Sequence, residues 1–194
     1  MNNKMTIRAK LYLCFLLIAM IIVFMGTYSV INIKKINRSR AMYQTVVGSL
    51  GDVTRFNNDF QKIRSYYRDI LIDSTKTGEL LFEINDHLAK TDSDYLAYGK
   101  TMSSAEEQLI YAKWTDTYGQ FKKDINEYLN MVSSGKYSKA YEFQGTGDLS
   151  ISSNKLVDIV DQLIIGNIKT GEKLSKAEET LTTATISVTI LVLV

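Results

Sequence analysis

Apolar positions recur every three or four residues along most of this chain, and at two places they become continuous. From Leu11 to Ile31 (LYLCFLLIAMIIVFMGTYSVI) there are 21 residues without a charge. As a helix rising 1.5 Å per residue, such a run measures roughly 30 Å, the thickness of a bilayer's hydrocarbon core. A second apolar run, Ala184 to Val194 (ATISVTILVLV), opens at the other end. The pattern therefore predicts a short tail (1–10), a transmembrane helix (11–31), a polar-faced module (32–183) and the start of a second transmembrane helix (184–194). A cleaved signal peptide is the rival for the N-terminus. It would carry an apolar core of about 7–15 residues ending in a small-residue cleavage site, and the sequence after Tyr28, SVINIKKINRSR, offers none.

Within 32–183 the spacing predicts four long helices. The first continues from the membrane to about Asp73, with a seam of Tyr43, Val46, Leu50, Val53, Phe56, Phe60, Ile63, Tyr67 and Ile70. Ser74-Thr75-Lys76 and Thr77-Gly78 supply a turn. The second carries Leu81, Ile84, Leu88, Thr91, Tyr95 and Tyr98 at alternating intervals of three and four, and ends at Gly99. Before the third, Ser103-x-x-Glu106 and Ser104-x-x-Glu107 both fit a capping box, in which hydroxyl and carboxylate each satisfy an orphan backbone N–H. Its seam is Ile110, Trp114, Tyr118, Phe121, Ile125, Tyr128 and Val132, and Ser133-Ser134-Gly135 stops it. A short amphipathic piece, 136–143, precedes the breaker Gly145-Thr146-Gly147. The fourth helix starts near Asp148 as N-cap and follows Leu156, Val160, Leu163, Asn167, Thr170, Leu174, Ala177 and Leu181 into the second apolar run. Four seams with short connections predict an all-α, antiparallel up-down-up-down four-helix bundle, helix one continuous with the N-terminal transmembrane helix and helix four running into a second. The aromatic residues in these seams read as core filling.

Composition narrows the chemistry. The chain has no proline in 194 residues, where average usage of about 5% would place roughly ten. That suits a few long helices, since proline breaks helix interiors. Residues 32–183 hold 20 of the 23 basic residues and all 21 acidic ones, a net charge of −1. With no basic patch, nucleic acid is excluded as a partner. The only cysteine, Cys14, lies in the first span, so there is no disulfide framework. His87 is the only histidine and reads as a solvated helix residue. No catalytic residue, metal site or cofactor is expected, and the chain is not expected to be an enzyme. Lys4, Arg8 and Lys10 before the span, against Lys34, Lys35, Arg38 and Arg40 after it, leave the orientation open.

The whole chain resembles the four-helix-bundle sensory module of bacterial methyl-accepting chemotaxis proteins with its flanking transmembrane helices. The resemblance lies in MTIRAKLYLCFLLIAMIIVFMGTYSVINIKKIN, KTMSSAEEQLIYAKWTDTYGQFKKDINEY, SSGKYSKAYEFQGTG and KLVDIVDQLIIGNIKTGEKL. It implies a cytoplasmic tail, a membrane-embedded receptor in the cell's inner or plasma membrane, and an extracytoplasmic bundle that is homodimeric in the full receptor. Ligand binding would be relayed through helix four to a cytoplasmic signalling domain. The same module is fused to sensor histidine kinases and cyclic-dinucleotide enzymes, so an input domain of that kind is the alternative. A ligand-free structural helical module is a third reading.

A candidate ligand site follows from antiparallel levels. If residues 32 and 183 both sit at the membrane face, Arg64 is level with Ile151, Arg68 with Gly147 and Asn57 with Asp158. Asn57, Gln61, Arg64 and Arg68 are spaced 4-3-4 and form one stripe beside the seam. The stripe faces the polar start of helix four, with Ser150, Ser152, Ser153 and Asn154. Arginine presents a planar fork of donors suited to carboxylates. The expected ligand is a small anionic molecule such as an amino acid or organic acid, held by Arg64, Arg68, Asn57, Gln61, Ser153 and Asn154. The competing reading is a solvated charged face. The resemblance adds weight to Arg64 and Arg68, because dimeric amino-acid chemoreceptors carry arginines on the distal part of helix one. Because Asn57, Gln61 and Arg64 flank that helix, the isolated module is expected to be a monomer or weak homodimer.

Overall fold

The computed structural model describes residues 6–102 and 104–193, without the side chains at 189 and 191–193. It is all-α. Among the described residues five helices follow in order: α1 (Ile7–Ile72), α2 (Thr77–Gly99), α3 (Ala105–Ser133), α4 (Tyr137–Gly145) and α5 (Asp148–Leu193). A turn of 3-10 helix, Ser74–Lys76, joins α1 to α2. Asp73 caps it: its carboxylate accepts from the Thr75 backbone N–H at 3.1 Å and from the Thr75 hydroxyl. These bonds hold the Asp73 carboxyl below the usual carboxylate range.

The capping box expected at Ser104 and Glu107 is present and starts α3. Ser104 Oγ accepts from the Glu107 N–H at 3.1 Å, and Glu107 Oε2 accepts from the Ser104 N–H at 3.0 Å. Ser103, the other serine expected to cap this helix, lies outside the described residues. Gly135, at a φ of 72°, ends α3 in the left-handed region that L side chains rarely adopt. Asp148 is the first residue of α5 rather than its cap, and its charge suits the positive end of the helix dipole. Gly147 precedes it because a Cβ there would lie 2.8 Å from the Phe143 backbone.

The chain divides into two compact units, the described parts of Met1–Tyr43 and Glu172–Val194 in one and Gln44–Gly171 in the other. In the first, α1 exposes a continuous apolar surface from Leu11 to Phe24. Among the described residues α1 is the one helix long and apolar enough to cross a membrane, and that stretch is not buried against protein. Arg40 Nε meets Glu178 Oε1 at 2.8 Å on this unit's surface.

In the second unit four helices pack as a bundle, α1, α2, α3 and α5, with α4 inserted before the last. Cross-helix bonds fix the directions. Between α1 and α2 the pairs Ser49–Thr101, Arg55–Asp94 and His87–Asp59 run with one number falling as the other rises, which is antiparallel. Thr91–Tyr118 and Tyr95–Thr115 do the same for α2 and α3. On the diagonals, Phe56–Trp114 and Phe60–Phe121 rise together, so α1 and α3 are parallel. This is the up-down-up-down order expected. Of the four bundle helices, α2 is the shortest at 23 residues.

The seams form the core: Val53, Phe56, Phe60, Ile63, Tyr67, Ile70, Ile84, Tyr98, Trp114, Tyr118, Phe121, Ile125, Tyr128, Val132, Leu156, Val160 and Leu163 are all buried. Three expectations are corrected. Tyr43 is 42% exposed, and Ala177 is exposed too; both lie outside Gln44–Gly171, where the core has ended. His87 is buried, not solvated, because Asp59 of α1 reaches its Nδ1 at 2.8 Å and Tyr66 lies against its ring. A buried imidazole needs such a partner.

Candidate functional site

The polar stripe on α1 and the first turns of α5 do meet. Their register differs from the level argument by three residues, as Arg64 faces Asn154 rather than Ile151. Gln61 Nε2 donates to Asn57 Oδ1 at 3.3 Å, Arg64 Nη1 donates to Gln61 Oε1 at 3.1 Å, and Arg64 Nη2 donates to Asn154 Oδ1 at 3.1 Å. The guanidinium also lies over the Phe60 ring, 5.8 Å from its centre. Arg64 Nε is buried with no partner. Ser153 is buried and shares a hydrogen bond of 3.3 Å with the Tyr67 hydroxyl. Arg68 is exposed, its Nε donating to the Arg64 carbonyl at 2.9 Å. Asn57, Gln61, Arg64 and Asn154 thus form one hydrogen-bonded chain. Ser153 sits one contact further in, and Arg68 reaches out into solvent.

The other flank of α5 presents a second feature, which the spacing argument missed. Between α3 and the start of α5 is a cleft of about 390 Å³ lined by Asp116, Gln120, Asp124, Asp148, Ser152 and Lys155, among others. Asp124 is 4% exposed. Its Oδ1 accepts from Gln120 Nε2 at 2.7 Å, whereas its Oδ2 is buried without a partner. The signal was in the sequence: Asp116, Gln120 and Asp124 are four apart, one stripe on α3.

Around His87, Glu83 and Asp86 bring ligand-type atoms within 4.8 Å of one another, the one such group among the described residues. Two of these side chains are already engaged. Lys90 holds Asp86, a contact that lowers the Asp86 pKa and raises that of Lys90, and Asp59 holds His87. The arrangement is an ion-pair cluster on α2.

Buried tyrosines line the core beside these features. Tyr98 receives a hydrogen bond of 3.2 Å from Asn167 Nδ2, and burial pushes its hydroxyl pKa up to about 12. Burial likewise raises Tyr118 and Tyr128. Tyr118 donates to Asp92 at 2.9 Å and Tyr128 donates to the Tyr67 carbonyl. Each is a neutral hydrogen-bonding strut between helices. None is poised as an acid or base.

A family model described as a four helix bundle sensory module for signal transduction matches residues 4–182. The chain belongs to that family. The match covers the bundle and the apolar part of α1 together, and it makes the domain a sensory one rather than a catalytic one. No curated protein and no solved structure matches the chain.

Proposed function

We propose that this sensory module is the ligand-sensing and transmembrane signalling region of a bacterial chemoreceptor. The observation that carries the reading is one uninterrupted helix. After the Gly145-Thr146-Gly147 break, α5 runs from Asp148, beside the polar stripe, to Leu193 in the second apolar run. A change at its first turns has a continuous helix to travel along. The apolar part of α1 anchors the chain in the cell membrane, the bundle stands outside the cytoplasm, and two copies pair in the full receptor.

At the Arg64 stripe the ligand class is a small organic anion. Supporting this are the unpartnered Nε of Arg64 and the exposed Arg68 one turn away, two groups whose donors suit a carboxylate. A ligand shifts a pre-existing equilibrium between helix positions only by its differential affinity for the two states. The coding sequence following Val194 tests the chemoreceptor reading. A long heptad-patterned helical hairpin there is the expected result. An ATP-binding kinase domain, a cyclase domain or no cytoplasmic domain at all overturns it.

A further inference from the structure

The cleft between α3 and α5 holds more negative charge than the protein itself neutralises. Three carboxylates, Asp116, Asp124 and Asp148, line it with one ammonium, Lys155. Some surface charges of the bundle are paired, Arg55 with Asp94 and Asp52, Lys90 with Asp86 and Lys122 with Asp92. Here, among the described residues, the side chains of Asp116, Asp148 and Lys155 form neither ion pair nor hydrogen bond. Asp124 is the strongest sign. A buried carboxylate oxygen with no donor bears the full desolvation cost of its charge, and Gln120 satisfies only the other oxygen. Ser152 adds a buried hydroxyl on the α5 side, bonded only weakly to the Leu149 carbonyl at 3.4 Å.

We propose that this cleft is a binding site for a small organic cation carrying primary ammonium groups. One ammonium pairs with the Asp124 carboxylate beside Ser152, and a second charge, where the ligand has one, is met by Asp116 or Asp148. An ammonium supplies three donors in tetrahedral directions, which suits acceptors converging from two helices. Charge-assisted hydrogen bonds of this kind are about twice as strong as neutral ones. Lys155 stands at the rim, where it disfavours bulkier polycations and sets a preference for compact ligands. The cleft's volume of about 390 Å³ falls within the range of small-molecule pockets, about 300–1,000 Å³.

The site lies on the opposite flank of α5 from the Arg64 stripe and needs the opposite ligand charge. It rests on the sensory-module reading but not on the Arg64 site, and it fails separately from the test of the sequence beyond Val194. The experiment is calorimetry on the full chain in a non-ionic detergent with three four-carbon probes: 1,4-diaminobutane, 4-aminobutanoate and butanoate. In an Arg64→Ala background, which removes the anion stripe, the diamine is expected to bind more tightly than the zwitterion, with no binding of butanoate. Asp124→Asn should weaken the diamine at least tenfold, Asp116→Asn should weaken it severalfold, and Arg64→Ala should leave it unchanged. Asp116 is exposed, so its variant tests the site without disturbing the core. Absence of diamine binding at millimolar concentration overturns the proposal. So does tighter binding of the zwitterion in an Arg64→Ala background, where the anion stripe is disabled, or diamine affinity that neither aspartate variant alters.

Discussion

Two regions of the bundle illustrate opposite uses of the same helices. Where α1, α2 and α3 meet, aromatic rings close the core. Phe56 meets Trp114 edge-on at 4.7 Å and Tyr118 at 5.2 Å, while Tyr95 and Tyr98 each contact Trp114. Their hydroxyls are tied, Tyr98 to Asn167 and Tyr118 to Thr91 and Asp92. Around the first turns of α5 the same helices place Asn57, Gln61, Arg64, Ser152, Ser153 and Asn154 beside the core rings, and Asp124 Oδ2 and Arg64 Nε are unpartnered there, as Trp114 Nε1 and Asn167 Oδ1 are in the aromatic region. Edge-to-face aromatic pairs add to area burial and fix one arrangement. Half-satisfied polar groups hold less firmly and leave room for a ligand to complete them. The first region is the more closely packed, and the second is where we propose that ligands act.

Truncating the aromatic layer should have the largest effect. Trp114→Ala or Phe56→Ala removes a fully buried ring and is expected to cost about 3–5 kcal/mol, read as a lower urea midpoint of the full chain in detergent. A loss below about 1 kcal/mol would show that this layer is not the mechanical base of the bundle.

Alkaline titration comes next in size. Tyr98 holds its proton to about pH 12 in the folded bundle, against about 10 when unfolded. The folded state therefore binds more protons in that window, and stability falls as pH rises through it. The contribution is complete below about pH 10, and roughly 2–3 kcal/mol is lost by about pH 12. Tyr118 and Tyr128, also raised by burial, add in the same direction. Denaturation midpoints unchanged between pH 9 and 11.5 would contradict this account of the tyrosine struts.

In the polar region the effects should be small and of mixed sign. Arg64→Ala breaks the bonds to Gln61 and Asn154 but also removes the unpartnered Nε, so a net loss of about 1 kcal/mol is expected. Asp124→Asn should be neutral or slightly stabilising in the absence of ligand, since it removes a buried, half-paired charge. If it instead destabilised the bundle by several kcal/mol, Asp124 would be a structural strut and the contrast between the regions would disappear. The smallest effect belongs to Arg55→Ala. Its pairs with Asp94 and, less, Asp52 raise the Arg55 pKa, yet the side chain is 58% exposed, so the change should stay within about 1 kcal/mol.

Periodicity made the aromatic region legible in the sequence. Trp114, Tyr118, Phe121 and Ile125 recur on one helical face, and no reading other than core fits them. Ser104 and Glu107 were equally plain, because a capping box is local. His87 was misread because its burial depends on Asp59, which is remote in sequence and close only once α1 and α2 pair. The Arg64 stripe was found from spacing plus antiparallel levels, with an error of three residues because the two helix ends need not share one height. Asp124 went unnoticed as it adjoins the seam residue Ile125 and reads as a solvated flank. Only the placement of α5 against α3 buries it.

The central claim is that a molecule bound at the first turns of α5 changes how this helix lies against α1. Spin labels at Val47 of α1 and Ile168 of α5, both exposed, report it directly, with Cys14 replaced by serine so that no other thiol reacts. Pulsed electron resonance distances are then recorded in membrane nanodiscs, with and without 1,4-diaminobutane at a concentration that raises the melting temperature. A redistribution between two distances in the wild type, lost in Asp124→Asn, is the predicted result. The same distance distribution with and without the bound diamine would contradict it.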